Sequence, residues 1–115
     1  MPERPNVTVT VHRVDGTRVL AVAGDLDLGT VAAIRARLGE IFADGATAVV
    51  ADLRDVTFCS TAGLHLIEEL RCRSVACPAS FGVVVGDPIS GLLRFLELPD
   101  GLRIYPTLAA ALAPR

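Results

Sequence analysis

Residues Ala46 to Leu53 read ATAVVADL, and Arg54 to Gly63 read RDVTFCSTAG. The first stretch is a short, continuous apolar run, the pattern of a central strand buried on both faces. The second lacks periodicity and reads as a loop. Beyond it, Leu64, Leu66, Ile67 and Leu70 mark a second helix, and Pro78 lies past its end. Strand, loop and helix in that order form a βα unit, and the rest of the chain extends the pattern in both directions.

Upstream, Asn6 to His12 (NVTVTVH) alternates valine with polar residues, the period-2 mark of a half-buried strand. Asp15-Gly16 signals a hairpin turn into a second strand, Arg18 to Ala23 (RVLAVA). Gly24-Asp25-Leu26-Asp27 then breaks that strand. Val31, Ile34, Leu38 and Ile41 recur at helical spacing and predict one amphipathic helix, ended at Asp44-Gly45. Downstream, Phe81 to Val85 (FGVVV) is a further buried strand. Asp87-Pro88 suits the start of a third helix, with Ile89, Leu92, Leu93 and Leu96 as its apolar stripe. Pro99-Asp100-Gly101 turns the chain, Leu102 to Tyr105 forms a last short strand, and Thr107 caps a final alanine-rich helix. The order β-β-α-β-α-β-α-β-α predicts an α/β fold: a mixed, mostly parallel sheet of about five strands with about four helices.

At 115 residues and 51% hydrophobic content the chain suits one globular domain, spanning 1–115 with its core at about 6–112. The formal net charge of −2 offers no basic excess for a phosphate backbone, so nucleic acid is not an expected partner. All 11 basic residues are arginine. Lysine chemistry is therefore excluded, from Schiff bases to phosphate-loop lysines. No apolar run approaches the ~20 residues of a membrane helix, and Met1 to Pro5 lacks a signal-peptide core. A cytoplasmic protein without membrane insertion is expected. Cys59, Cys72 and Cys77 lack metal-ligand spacing and read as reduced, buried, small apolar side chains. No metal or other cofactor is expected.

In open α/β sheets functional groups gather where strands end and the next helices begin. Two segments qualify: Gly24 to Asp27, and Asp52 through Gly63. Ser60 and Thr61 stand where the first free helical N–H groups need acceptors, so either hydroxyl reads as an N-cap. A hydroxyl there also reads as a phosphoacceptor, since the helix terminus tolerates the added charge. Asp25 and Asp27 read as loop carboxylates or as a pair for acid–base or metal chemistry, but no histidine, lysine or other carboxylate accompanies them within the motif. Cys59 reads as a packed residue or as a thiolate at a helix N-terminus. His65 reads as an exposed helix residue. Asp52 ends the central strand as a receiver aspartate does, but the lysine and acidic pair of that chemistry are missing.

The run Asp52-Leu53-Arg54-Asp55-Val56-Thr57-Phe58-Cys59-Ser60-Thr61-Ala62-Gly63-Leu64 resembles the signature of the STAS family of bacterial anti-sigma factor antagonists. In that family a strand ending in Asp-Leu leads through a Val-x-Phe pair to Asp-Ser-x-Gly-Leu. Gly24-Asp25-Leu26-Asp27 resembles the family's other landmark, Gly-Glu-Leu-Asp. The element order agrees over nearly the whole chain.

The resemblance implies a switch and not an enzyme. The unmodified domain binds an anti-sigma factor that is also a serine/threonine kinase, and the sigma factor is freed. The kinase then phosphorylates the antagonist at the start of the second helix, the complex parts, and a phosphatase resets it. Gly63 and Leu64 match the family's glycine and leucine. The phosphoacceptor therefore falls on Thr61, and the usual preceding aspartate falls on Ser60, which is the alternative acceptor. The implied contact patch comprises Gly24, Asp25, Leu26, Asp27, Ser60, Thr61, Ala62, Gly63 and Leu64. STAS-like domains also serve as non-switching scaffolds in sensory assemblies or as soluble accessory subunits of transporters.

Overall fold

A computed structural model describes residues 7–42, 46–77, 79–86 and 103–113. Strand β1 (Val7–Val14) turns back into β2 (Thr17–Leu26) as an antiparallel pair, with Val14 opposite Thr17. Asp15 takes the left-handed φ of 54° in the two-residue turn, a conformation aspartate tolerates. Helices α1 (Leu28–Arg35) and α2 (Leu38–Ile41) lead to β3 (Ala48–Cys59), which lies parallel to β2. Helix α3 (Thr61–Ala76) crosses to β4 (Ser80–Val85), parallel to β3. Strand β5 (Arg103–Tyr105) adds parallel to β4, and α4 (Leu108–Leu112) follows. The sheet order is β1-β2-β3-β4-β5, so each strand pairs with its neighbour in sequence. The mixed, mostly parallel sheet of five strands is as the sequence predicts. Among the described residues, no helix is long and apolar enough to cross a membrane.

One layer of the core unites Leu20, Val22 and Leu26 of β2, Val31 and Ile34 of α1, and Leu66, Ile67 and Leu70 of α3. Ala51, Leu53 and Val56 supply the β3 side. A smaller cluster on the opposite face joins Val50, Val84 and Ala111, with Tyr105 and Leu108 against it. Central β3 thus feeds both layers, which is why Val49 to Leu53 is buried throughout and apolar at every position but Asp52.

The expected single helix through Ile41 is two helices. The Arg37 N–H donates to the Ile34 carbonyl at 2.9 Å, an i−3 bond that tightens the chain there. Arg37 itself leaves helical geometry, with φ −106° and ψ 8°. Its guanidinium reaches Glu40 and, at 3.0 Å, the Val9 carbonyl of β1. Val31, Ile34, Leu38 and Ile41 all stay buried, so the stripe survives the break. The helix called second from sequence is consequently α3.

Two segments expected as loops are strand. Gly24, Asp25 and Leu26 belong to β2, and Arg54 to Cys59 belong to β3. Their pairing continues through Gly24 with Val56, Asp25 with Phe58 and Leu26 with Cys59, across two register shifts. Each shift lets β3 run one residue ahead of β2, which scrambles the alternation a strand reading needs. Gly24 adopts φ 103°, beside the second shift. Thr107 caps α4 as predicted, its hydroxyl accepting from the Ala110 N–H at 3.0 Å. The helix expected after Asp87-Pro88, the Asp44-Gly45 stop and the turn at Pro99-Asp100-Gly101 lie outside the described residues.

The cysteine expectation needs correcting. Cys72 and Cys77 are exposed and Cys59 is half-buried. The buried stripe of α3 runs through Gly63, Leu66, Ile67, Leu70 and Ser74, which puts Cys72 on the outer face. Cys77 follows the last helical turn as its C-cap.

Candidate functional site at the ends of β2 and β3

Parallel β2 and β3 end side by side, and α1 and α3 start from those ends. This gathers Gly24 to Asp27 and Ser60 to Leu64 along one rim of the domain, at the carboxyl ends of two interior strands. The link is direct: the Ser60 N–H donates to the Leu26 carbonyl at 2.9 Å, and the Ser60 hydroxyl donates to the same oxygen at 3.1 Å. The Ser60 oxygen also accepts from the Gly63 N–H at 3.4 Å, capping α3.

Asp27 caps α1. Its Oδ1 accepts from the Thr30 N–H at 3.1 Å, while the Asp27 N–H donates to Thr30 Oγ1 at 2.9 Å. That is a reciprocal capping box with threonine in the role usually filled by glutamate. Thr30 Oγ1 in turn donates to the Asp25 carbonyl at 2.8 Å. The Asp25 side chain accepts from Thr57 Oγ1 at 3.2 Å. The two aspartates therefore have separate duties: Asp25 is bound to β3 and Asp27 closes a helix.

Besides Thr30, three hydroxyls border this site, and two of them are engaged. Thr57 donates to Asp25, and Ser60 is tied to Leu26 and Gly63. Thr61, the first residue of α3, is exposed and its hydroxyl makes no hydrogen bond among the described residues.

Gly63 is buried where α3 meets the strand ends. A Cβ there would fall 2.8 Å from Cys59 Sγ and 2.9 Å from Leu26 Cγ, closer than carbon tolerates. The glycine therefore sets how near the helix start approaches β2 and β3. Ala62 and Leu64 are half-buried beside it, and both pack on the main core cluster.

Burial pushes the Cys59 thiol up, so at neutral pH it is a protonated packing atom. Asp52 is buried on β3, where Arg54 grips it through Nε–Oδ1 at 2.9 Å and Nη2–Oδ2 at 2.8 Å. That fork holds the Asp52 carboxyl below the usual carboxylate range. His65 is exposed on α3. Among the described residues, no three His, Cys, Asp or Glu side chains converge as metal ligands do.

Sequence reasoning missed two residues here. Leu28, the first residue of α1, is 74% exposed, and Phe58 on β3 is 54% exposed. The Val-x-Phe spacing points Phe58 inward with Val56 if β3 alternates regularly. The register shift beside it sends Phe58 outward and Cys59 against the core. The one available signal was position: both side chains adjoin residues already assigned to the patch.

The comparisons with known proteins cover nearly the whole chain. The STAS domain family matches residues 8–111. The anti-sigma-F factor antagonist RsfB of Mycobacterium tuberculosis is 34% identical over 108 residues, 93% of this chain and 88% of its own. The crystal structure of an anti-sigma factor antagonist from Mycobacterium paratuberculosis superposes with a TM-score of 0.75 at 29% identity, covering 96% of each chain. The Bacillus cell fate determinant SpoIIAA in its phosphorylated form shares the fold, with a TM-score of 0.70 at 20% identity over 90% of this chain and 96% of its own. With the family match spanning nearly every described element, the chain belongs to the STAS domain family.

Proposed function

We propose that the chain is an anti-sigma factor antagonist: unmodified, it docks on a serine/threonine-kinase anti-sigma factor through the β2–α1 and β3–α3 edge, and phosphorylation of Thr61 releases it. It acts as a substrate in this cycle, not as a catalyst, and a phosphatase restores the docking form. The names of its relatives support the antagonist role. The observation that carries the switch is the difference between two adjacent hydroxyls. Ser60 is bonded to Leu26 and Gly63, whereas Thr61 is exposed and unengaged among the described residues. A kinase can reach Thr61 without dismantling the cap.

The physical effect of phosphate follows from charge. A phosphothreonine carries about −1.5 to −2 charges at neutral pH. The first turn of α3 accommodates that charge in the free protein. In a complex the phosphate is desolvated, with Asp25 and Asp27 on the neighbouring segment. A dianion buried without a new cation costs several kcal/mol, and ~2.8 kcal/mol is a hundredfold in affinity.

The test measures phosphoryl transfer and binding together. Incubation with the kinase anti-sigma factor and ATP adds one phosphoryl group, mapped by mass spectrometry to Thr61. Thr61→Glu weakens binding ~10-fold or more while Thr61→Ala binds like wild type. Equal affinities for all three proteins, or no labelling at residues 60–61, would identify a non-switching scaffold instead.

A further inference from the structure

Among the described residues, five large apolar side chains remain exposed: Val14, Leu28, Phe58, Val75 and Ile104. Val14 ends β1 at the hairpin, Val75 lies near the far end of α3, and Ile104 is on edge strand β5. Leu28 and Phe58 alone adjoin the docking edge. Leu28 follows the α1 cap Asp27, and Phe58 pairs in register with Asp25, one residue from Cys59 and two from Ser60. Their neighbours of the same chemistry, Leu26 and Val56, are 0% and 2% exposed, so the chain buries apolar groups here when it has the option. Each exposed anchor is therefore attached to a carboxylate: Leu28 to Asp27 by sequence, Phe58 to Asp25 by strand pairing.

We infer that Leu28 and Phe58 are the apolar anchors of the partner-binding edge, and that the matching surface on the anti-sigma factor is an apolar cleft rimmed by arginine or lysine. The inference rests on the reading of the chain as an antagonist and adds the chemistry of the contact. Aromatic and aliphatic anchors in a partner's pocket provide most of an interface's binding energy, while surrounding charges steer encounter and exclude other partners. The two aspartates supply the complementary charge. A phosphate on Thr61 leaves the anchors and the steering charges in place, so release comes from its desolvation and bulk inside the docked interface, where the rim cations do not reach it.

The experiment uses the full chain and the purified kinase anti-sigma factor that phosphorylates it. Leu28→Ser and Phe58→Ser each weaken binding ~5-fold or more and the pair ~20-fold or more. Val75→Ser, of intermediate exposure between the two but distant, binds like wild type. Asp25→Asn flattens the loss of affinity between low and high salt. Circular dichroism of all variants remains native, because these side chains are already in water. Wild-type affinity for Leu28→Ser and Phe58→Ser, with Thr61→Glu still defective, overturns the anchors and leaves the switch intact. A wild-type chain that binds no kinase anti-sigma factor overturns both. A wild-type dimer in sedimentation, converted to monomer by the double substitution, assigns the anchors to a second copy of the chain and overturns the inference.

Discussion

Ser60 is suspended from Leu26: its N–H and its hydroxyl both donate to the one carbonyl oxygen, at 2.9 and 3.1 Å. The start of α3 is thereby fixed to the end of β2, two segments separated by most of a βα unit. The same hydroxyl oxygen caps the helix at Gly63. Ser60→Ala removes both side-chain bonds and is expected to cost about 1–2 kcal/mol of folding stability by denaturant titration. Kinase labelling should persist in Ser60→Ala and disappear in Thr61→Ala. Labelling lost only in Ser60→Ala would move the acceptor to Ser60.

Gly63→Ala drives a methyl group into Cys59 Sγ and Leu26 Cγ, and overpacking of that kind costs about 1–3 kcal/mol. Adding Cys59→Ala removes the sulfur but not the leucine. The double variant should therefore be less destabilised than the sum of the two single substitutions, by urea denaturation. Strict additivity would mean that the helix start moves away instead.

Asp52 and Arg54 give the fold an acid-sensitive element. The Asp52 carboxyl is held below its ordinary range by Arg54, so the pair stabilises the native state above the unfolded carboxylate value near ~4 and the effect fades as pH falls through the lower native value. Arg54→Met removes the partner, and burial then favours the protonated acid. The Tm gap between wild type and Arg54→Met should be widest at pH 7 and close toward pH 3. A gap independent of pH would show that packing, not charge, explains the loss.

The three thiols should separate by reactivity. Cys72 and Cys77 are exposed, whereas Cys59 is half-buried with its thiol pushed up. Alkylation at pH 8 followed by peptide mapping should modify Cys59 last, and urea should remove the difference. Cys59 reacting first would contradict its packing against the core.

The parts of the fold that obey a local rule were readable from sequence. β1, the Asp15-Gly16 turn, the first half of β3 and the Thr107 cap follow local rules of period, turn residue and cap. The second half of β3 was not readable, because a strand with a shifted register no longer alternates, and Arg54 to Cys59 therefore looked like loop. The split at Arg37 was invisible for a related reason: a brief i−3 turn leaves the apolar spacing of Val31, Ile34, Leu38 and Ile41 unchanged. At the site, the hydroxyls of Ser60 and Thr61 were reached from the helix start, and the choice of Thr61 together with Gly63 through the family pattern. The division of labour between Ser60 and Thr61, and the exposure of Leu28 and Phe58, depend on which way side chains leave the backbone. That is a property of three-dimensional register.

The displaced pairing at the end of β3 makes the count of residues from Asp52 to Cys59 a ruler. Removing one residue from that span reverses which side each later side chain faces. Cys59 would swing to solvent, the aromatic ring would turn under the helix, and Gly63 would lose the sulfur it was shaped to meet. Length here is under tighter constraint than composition, so grafting this edge onto another scaffold requires carrying over its spacing before its residues.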